Sequence, residues 1–520
     1  MDRRKFLVRS LASSVACSAG GLFAKAWAEP ATGAMQSPGL PALREKLMHD
    51  PLRPQFHLLP AANWMNDPCA PRFYRGEYHM FNQYNPGAAV WGDMHWAHAK
   101  SPDLIHWTHL PVALSPTPGY YDAFGCFTGS VLPDMDAPTI LYTGVTKTTP
   151  DQETIRGEGL REVQCMAVAT DSGLQNWKKA ERPALDGPPA GMKVTGFRDP
   201  CPWKDGDTWY LGVGSGFPKV GGAVLLYRSS DGRNWSYLHP LVQGQWNEGT
   251  QTNPVDTGEM WECPDFFPLG GKHVLLYSAE RKVYWEVGEF DRRDLKFHAE
   301  TRGLLDHGSY YAMKSMVDAK GRRILWGWVQ ENRSPKDCLA AGWAGTMALP
   351  RVLTLDGNQL RMEVVPEFAS LLRNTRRLPS SGVTDLNAAL AGMPIVNRAC
   401  NLVLEFQPKD GPYRLEFRDG SDNGAALLTI KSADQAGKPS VTIGDRVVPL
   451  NPNQEGISTI DLWMDGSVIE IFIDSREAMT VRSYKSAAND IRIAWTGPAQ
   501  MLKSLSVSDV TPISTDRLTS

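Results

Sequence analysis

A short apolar segment recurs five times along this 520-residue chain, and few folds accept such a period. It reads EYHMFNQY at 77–84, TILYTGV at 139–145, TWYLGVG at 208–214, HVLLYSA at 273–279 and RILWGWV at 323–329, with starts about 50 to 70 residues apart. Four of the five follow a turn context, at Gly76, Gly206, Gly270-Gly271 and Gly321. A second repeat interleaves with the first: SPDLIHW ends at Trp107, DSGLQNW at Trp177, SSDGRNW at Trp235, and a degenerate DRRDLKF at Phe297. Each follows an apolar strand, and a turn carrying Asp or Ser before an aromatic that returns to the core is hairpin punctuation. Several short strands in each unit of about 60 residues, five times over, predict an all-β fold: a five-bladed β-propeller of four-stranded blades over 50–360. A two-sheet sandwich would supply many strands but not this period.

Beyond 360 the period is lost. PEFASLLRNTRRL (366–378) reads as a short helix in a linker over 361–380. The strand-like segments after it, from CNLVLEFQP to IRIAW, read as a C-terminal antiparallel β-sandwich over 381–515. No constellation of catalytic residue types stands out there, so its expected part is to pack against the propeller and stabilise it.

Residues 1–28 read as an export signal. Arg3-Arg4-Lys5-Phe6-Leu7 has a twin-arginine pattern, a weakly apolar stretch runs from Leu11 to Ala24, and Ala26-Trp27-Ala28 supplies a small-x-small cleavage site. The expectation is a periplasmic or secreted protein, monomeric or homodimeric, without a membrane span, since no later window reaches the roughly 20 apolar residues a span requires. A formal net charge of −3 with no basic stripe argues against nucleic acid and anionic membrane as partners. Of eight cysteines, Cys17 falls in the signal; the remaining odd number leaves at least one without an intramolecular partner, and none forms a CxxC pair that would suggest structural zinc.

The period also locates a site. About ten residues before each repeated segment lies the innermost strand of its blade, and the innermost strands surround a central channel. The positions reached are Asp67 in WMNDPCA, Thr128 in CFTGS, Asp199 in FRDPC, Glu262 in WECPD and Ala312 in SYYAMKS. Three carboxylates therefore converge on one funnel, with no metal-ligand spacing among them and no cofactor motif. Glycoside hydrolysis needs such a set: an acid for the leaving oxygen, a second carboxylate as nucleophile or base, and fixed negative charge for an oxocarbenium-like transition state. Crowded carboxylates raise one another's pKa, which keeps one of them protonated, and the longer Glu262 is the natural acid/base.

At these residues the chain resembles glycoside hydrolase family 32, the invertases, levanases, inulinases and fructan exohydrolases. WMNDP, FTGS, FRDP and MWECPDFFP occur in the family's order and spacing. QYNP (83–86), WAHAKSPDLIHW (96–107), LDHGSYYA (305–312), GWAG with LPR (342–351) and the sandwich segment DGSVIEIFID (465–474) also match, so the resemblance runs from about Gln55 to Tyr484. It implies that Asp67 attacks the anomeric carbon of a fructosyl unit, that Glu262 is acid/base, and that Asp199 stabilises the transition state without bonding. It further implies that Asn66, Gln83, Thr128 and Arg198 bind the fructose unit, that Trp91 and Phe127 form an aromatic rim, and that Asp306 reaches the sugar. Sucrose or a fructan is the implied substrate, with no metal or cofactor.

The chain departs from the family after NDP, where Cys69-Ala70 stands for the usual Asn-Gly, and before the Thr of FTGS, where Phe127 stands for a frequent Trp. Cys69, Cys126, Cys201 and Cys263 lie within two residues of motif positions, which leaves burial, a reactive thiol or a local disulfide open. A fructosyltransferase is the alternative within the family. An inverting arabinan-cleaving propeller and a non-catalytic sugar-binding propeller are the alternatives outside it; the linear motifs disfavour the first and the intact acidic triad the second.

Overall fold

Each repeated segment is the second strand of an antiparallel sheet in the computed structural model, which describes residues 40–155, 157–246, 258–378, 385–408, 411–420, 426–435 and 438–514. The proposed signal at 1–28 lies outside the described residues. Five sheets follow one another, and their innermost strands are Asn63–Tyr74, Gly125–Leu132, Phe197–Asp205, Glu262–Leu269 and Tyr310–Val317. We number the blades 1 to 5 in that order. Trp343–Ala344, from the connection inside blade 5, pairs in parallel with Asn63–Trp64 of blade 1 and so joins the last blade to the first.

The second repeat is the turn between the third and fourth strands of a blade. Leu104 (φ 70°), Leu174 (φ 57°) and Gly232 (φ 68°) take the left-handed conformation three residues before their Trp, and Leu295 (φ 57°) two before Phe297. A left-handed leucine is unfavourable by about 1–2 kcal/mol on its own. Asp103, Asp171 and Asp231 offset this by accepting backbone N–H groups of their own turns. The indoles of Trp107 and Trp177 donate to the carbonyls of Leu104 and Leu174 at 3.2 and 2.9 Å, which seals the hairpin against the core.

Only the first half of the expected helix at 366–378 is helical, and there it is 3₁₀. Pro366–Leu371 makes one short 3₁₀ turn that buries Phe368 and Leu371, and Leu372–Arg377 is a strand paired with Leu502–Val510. Asn374 takes φ 47°, which no α-helix accommodates, and the neighbouring backbone groups go to the sheet. The linker is correspondingly shorter than 361–380: Gln359–Val364 completes blade 5, and the sandwich begins at Leu372. The sandwich stacks a six-stranded sheet on a five-stranded one around its own apolar core.

The two domains are joined by one continuous apolar core, in which Phe56, Tyr310, Met313 and Phe368 meet Trp463, Phe472 and Val510. Buried inside that join is a cluster of charges. His57 bonds Asp465 at 2.7 Å and Glu470 at 3.0 Å; Glu470 takes Arg351 at 2.7 Å; Arg351 reaches Asp306 at 3.0 Å. Asp465 also accepts the backbone N–H groups of Gln55, Phe56 and His57. Burial pushes the His57 pKa down, but hydrogen bonds and charge from Asp465 and Glu470 outweigh it and raise it from 6.5 to about 8.

A folded-state pKa above the unfolded one stabilises fully below pH 6.5, and that stabilisation is lost as pH rises through 8. Unfolding free energy from chemical denaturation is predicted to fall by about 2 kcal/mol across this window. His57→Gln should flatten the dependence; an identical slope in the variant would show that the cluster does not titrate.

Candidate active site

Each innermost strand carries a β-bulge at the same place. Asn66-Asp67 oppose Gln83 alone, Phe127-Thr128 oppose Thr143, Asp199-Pro200 oppose Val213, Cys263-Pro264 oppose Tyr277, and Ala312-Met313 oppose Gly327. A bulge bends its strand and re-aims its side chains. Asp199 (φ 63°), Cys263 (φ 50°) and Ala312 (φ 54°) are left-handed as a result. The positions found by counting residues are thus close neighbours rather than strict equivalents. Asp67 and Thr128 are second in their bulges, Asp199 and Ala312 are first, and Glu262 stands just before one. Glycines let the strands approach: a Cβ on Gly129 would lie 2.1 Å from the Leu141 carbonyl oxygen, and one on Gly214 would lie 2.6 Å from that of Trp261 in the next blade.

Asp67 is held by neutral donors. Thr128 Oγ1 donates to its Oδ2 at 2.7 Å and Asn66 Nδ2 to its Oδ1 at 2.9 Å. Gln83 in turn donates to Thr128 at 2.6 Å and accepts from Asn66 at 2.9 Å, while Trp64 Nε1 fixes Asn66 Oδ1 at 2.8 Å. Thr128 is therefore turned onto Asp67, a different placement from the expected sugar contact. Asn66 and Gln83 stand beside the carboxylate, each within hydrogen-bond reach of Asp67.

Glu262 is held by charge. Arg198 Nη2 lies 2.8 Å and its Nε 3.2 Å from Glu262 Oε1, and Tyr311 donates its hydroxyl to Oε2 at 2.6 Å. The other side of Arg198 bonds Glu162 at 2.9 Å, which also accepts the Phe197 N–H at 2.6 Å. Burial opposes the Arg198 charge, yet Glu162, Glu262 and Asp199 together hold its pKa above the ordinary value. The donors of Arg198 thus go to Glu262 and Glu162, a different placement from the expected direct sugar contact. Glu162 and Tyr311 were not picked out from the sequence; the signal for Glu162 is a carboxylate inside an otherwise buried strand, LREVQCMAVA.

Asp199 completes the set. Its Oδ2 accepts the Cys263 N–H at 2.8 Å, and Cys263 Sγ sits 3.5 Å from that oxygen and 3.7 Å from Asp67 Oδ2. Burial, with the charges of Glu262 and Asp67, pushes the Asp199 pKa up to about 6 against the pull of Arg198 and the Cys263 N–H.

The remaining expectations divide. Trp91 is half-buried and meets Phe127 edge-to-face at 5.9 Å, but Phe127 is buried and backs the rim rather than forming its surface. Asp306 is engaged elsewhere than at the expected sugar contact. Its two oxygens are taken by the N–H groups of Gly308 and Thr480, by Thr480 Oγ1 and by Arg351, in the join between the domains. The described cysteines are all buried and unpaired, and burial raises the thiols of Cys69, Cys126, Cys201 and Cys263, so they pack as small apolar groups. Ala70 takes φ 43°, the conformation that favours glycine, which is the physical content of the departure after NDP.

Known proteins share this architecture and these motifs. Residues 57–364 match the Glycosyl hydrolases family 32 N-terminal domain and residues 425–509 the Glycosyl hydrolases family 32 C terminal. A sucrose-6-phosphate hydrolase of Zymomonas mobilis is 33% identical over 470 residues, 85% of this chain and 88% of that one. Fructan 1-exohydrolase IIa of Cichorium intybus superposes with TM-score 0.73 at 26% identity, covering 89% of this chain and 98% of that one. The β-fructofuranosidase of Bombyx mori does so with TM-score 0.73 at 28% identity, covering 91% and 97%. Variants of these last two enzymes have been solved with 1-kestose and with sucrose, respectively. With both domains matched in order and the relatives covering most of its length, the chain belongs to glycoside hydrolase family 32.

Proposed function

We propose that the chain is a retaining β-fructofuranosidase that releases terminal fructose from sucrose or fructans. The observation that carries this is the unequal support of three adjacent carboxylates: neutral donors on Asp67, a cation and a phenol on Glu262, a backbone amide on Asp199. The substrate class follows from relatives that act on sucrose, sucrose 6-phosphate and fructans.

In the first step Asp67 attacks the anomeric carbon while Glu262 protonates the departing glycosidic oxygen, leaving a fructosyl ester on Asp67. Asp199, anionic beside the ring, stabilises the oxocarbenium-like charge. The proton of Glu262 leaves with the departing sugar, so the ester stage finds Glu262 as a carboxylate. Glu262 is then ready to take a proton from water, which attacks the anomeric carbon, displaces the Asp67 carboxylate and frees fructose. Arg198 and Tyr311 keep Glu262 in line for both transfers.

We take the 1–28 segment as an export signal, so the enzyme works in the periplasm or outside the cell. Each funnel is built by one chain, which is compatible with a monomer or a homodimer of independent sites.

The test is product analysis on sucrose, 1-kestose, inulin and levan. Wild type should release free fructose, and Asp67→Asn should lose about 10⁴-fold or more in kcat. Glu262→Ala should lose as much on sucrose, but on a fructoside whose leaving group departs without acid assistance it should recover turnover with azide, giving fructosyl azide. Wild type that releases no fructose from any of the four, or Asp67→Asn that remains active, overturns the reading.

A pH dependence follows from Asp199. Its stabilising charge is present above about pH 6 and is lost as pH falls through that value. The kcat/KM profile should therefore drop below about pH 6. A profile still flat at pH 4.5 would contradict this assignment.

A further inference from the structure

Blade 5 contributes no carboxylate to the funnel, but immediately after its bulge it contributes a buried lysine. Lys314 is 1% exposed, and its ammonium donates to the Pro264 carbonyl at 2.8 Å. Pro264 is the second residue of the blade 4 bulge, opposite the same single residue as Cys263. A bulge carbonyl has lost its regular ladder partner, and burying it unpaired is unfavourable. Lys314 satisfies it, and the same short stretch carries Glu262 on one side and the Cys263 N–H that holds Asp199 on the other.

The ammonium lies among acids. Asp199 and Cys201 face it from blade 3, Cys263 and Asp265 from blade 4, and Cys69 of blade 1 also feels its charge. Arg323, on the second strand of blade 5, acts on Asp265 and Cys201. Arg198 bonds Glu162 and Glu262 and lies 4.0 Å from Asp199. Lys314 is a second cation acting on Asp199. A hydrogen bond to Pro264 alone would not require a full positive charge, whose burial is costly without acids to balance it.

We propose that Lys314 is a positioning residue for the hydrolysis: it pins the Pro264 carbonyl, so that the blade 4 bulge presents Glu262 and the Cys263 N–H correctly, and it adds positive charge on the Asp199 side of that bulge. This rests on the proposed function above, in which Asp199 must be anionic for turnover.

The experiment compares Lys314→Met, Lys314→Gln and Lys314→Arg with wild type, reading kcat and KM on sucrose, the pH profile of kcat/KM, and thermal unfolding. Loss of the cation raises the pKa of nearby carboxylates, so both neutral variants should move the acid limb upward by about one pH unit. Their kcat should fall about tenfold or more with KM little changed, and Lys314→Gln, which keeps a donor, should retain more kcat than Lys314→Met. Lys314→Arg should restore the wild-type limb. An acid limb unmoved in a folded neutral variant overturns the proposal, whatever happens to its melting temperature. Failure of both neutral variants to fold, with Lys314→Arg folded, assigns the lysine to the architecture alone and also overturns it. Wild type inactive on every fructoside would instead sink the functional reading, so the two failures are distinguishable.

Discussion

Two residues of an inner strand set against one of its neighbour: that mismatch, repeated in every blade, is the constraint on which the funnel depends. A regular inner strand would alternate its side chains between the two faces of its blade. The bulge breaks the alternation, so consecutive residues such as Asn66 and Asp67, or Arg198 and Asp199, serve the same cluster. Left-handed backbone at Asp199, Cys263 and Ala312 is an expense of order 1–2 kcal/mol each. It is held in place by the surrounding sheet and by bonds such as that from Cys263 N–H to Asp199. Strain at these points and catalytic placement are one feature.

The sandwich enters the same account through its join to the propeller. Three family motifs, LDHGSYYA, LPR and DGSVIEIFID, supply Asp306, Arg351, Asp465 and Glu470 to one buried cluster. Removing a single partner from such a cluster leaves an uncompensated charge and typically costs about 3–5 kcal/mol, so its members constrain one another strongly. Asp306 ends the outermost strand of blade 4 and shortly precedes the innermost strand of blade 5, so the cluster anchors the chain entering the blade that carries Tyr311 and Lys314. The sandwich thus bears on the catalytic geometry through this join.

Much of this was legible in the sequence, for a physical reason. A propeller repeats its hydrophobic pattern once per blade, so five weak strand signals reinforce one another, and the inner strands fall at a fixed offset from them. The bulges were not legible, because nothing in a local pattern marks a residue opposed two-to-one; hence the offset by one between Asp67 and Asp199. The misread helix at 366–378 has the apolar spacing of one turn, but Asn374 and pairing with a strand more than a hundred residues away decide against it. Asp306, Phe127 and Thr128 were near the right place but aimed elsewhere. Side-chain direction depends on partners such as Arg351, Trp91 and Asp67, which lie far off in sequence.

The central claim is that Asp67 forms a covalent bond to the sugar, and it is tested most directly by trapping that bond. Glu262→Gln should accumulate the ester when supplied with a fructoside whose leaving group departs without acid assistance. After acid quench and proteolysis, mass spectrometry should find one fructosyl unit on the peptide spanning WMNDP and, by fragmentation, on Asp67. An adduct on any other residue, or steady turnover with no adduct and a product of inverted configuration, would contradict the account.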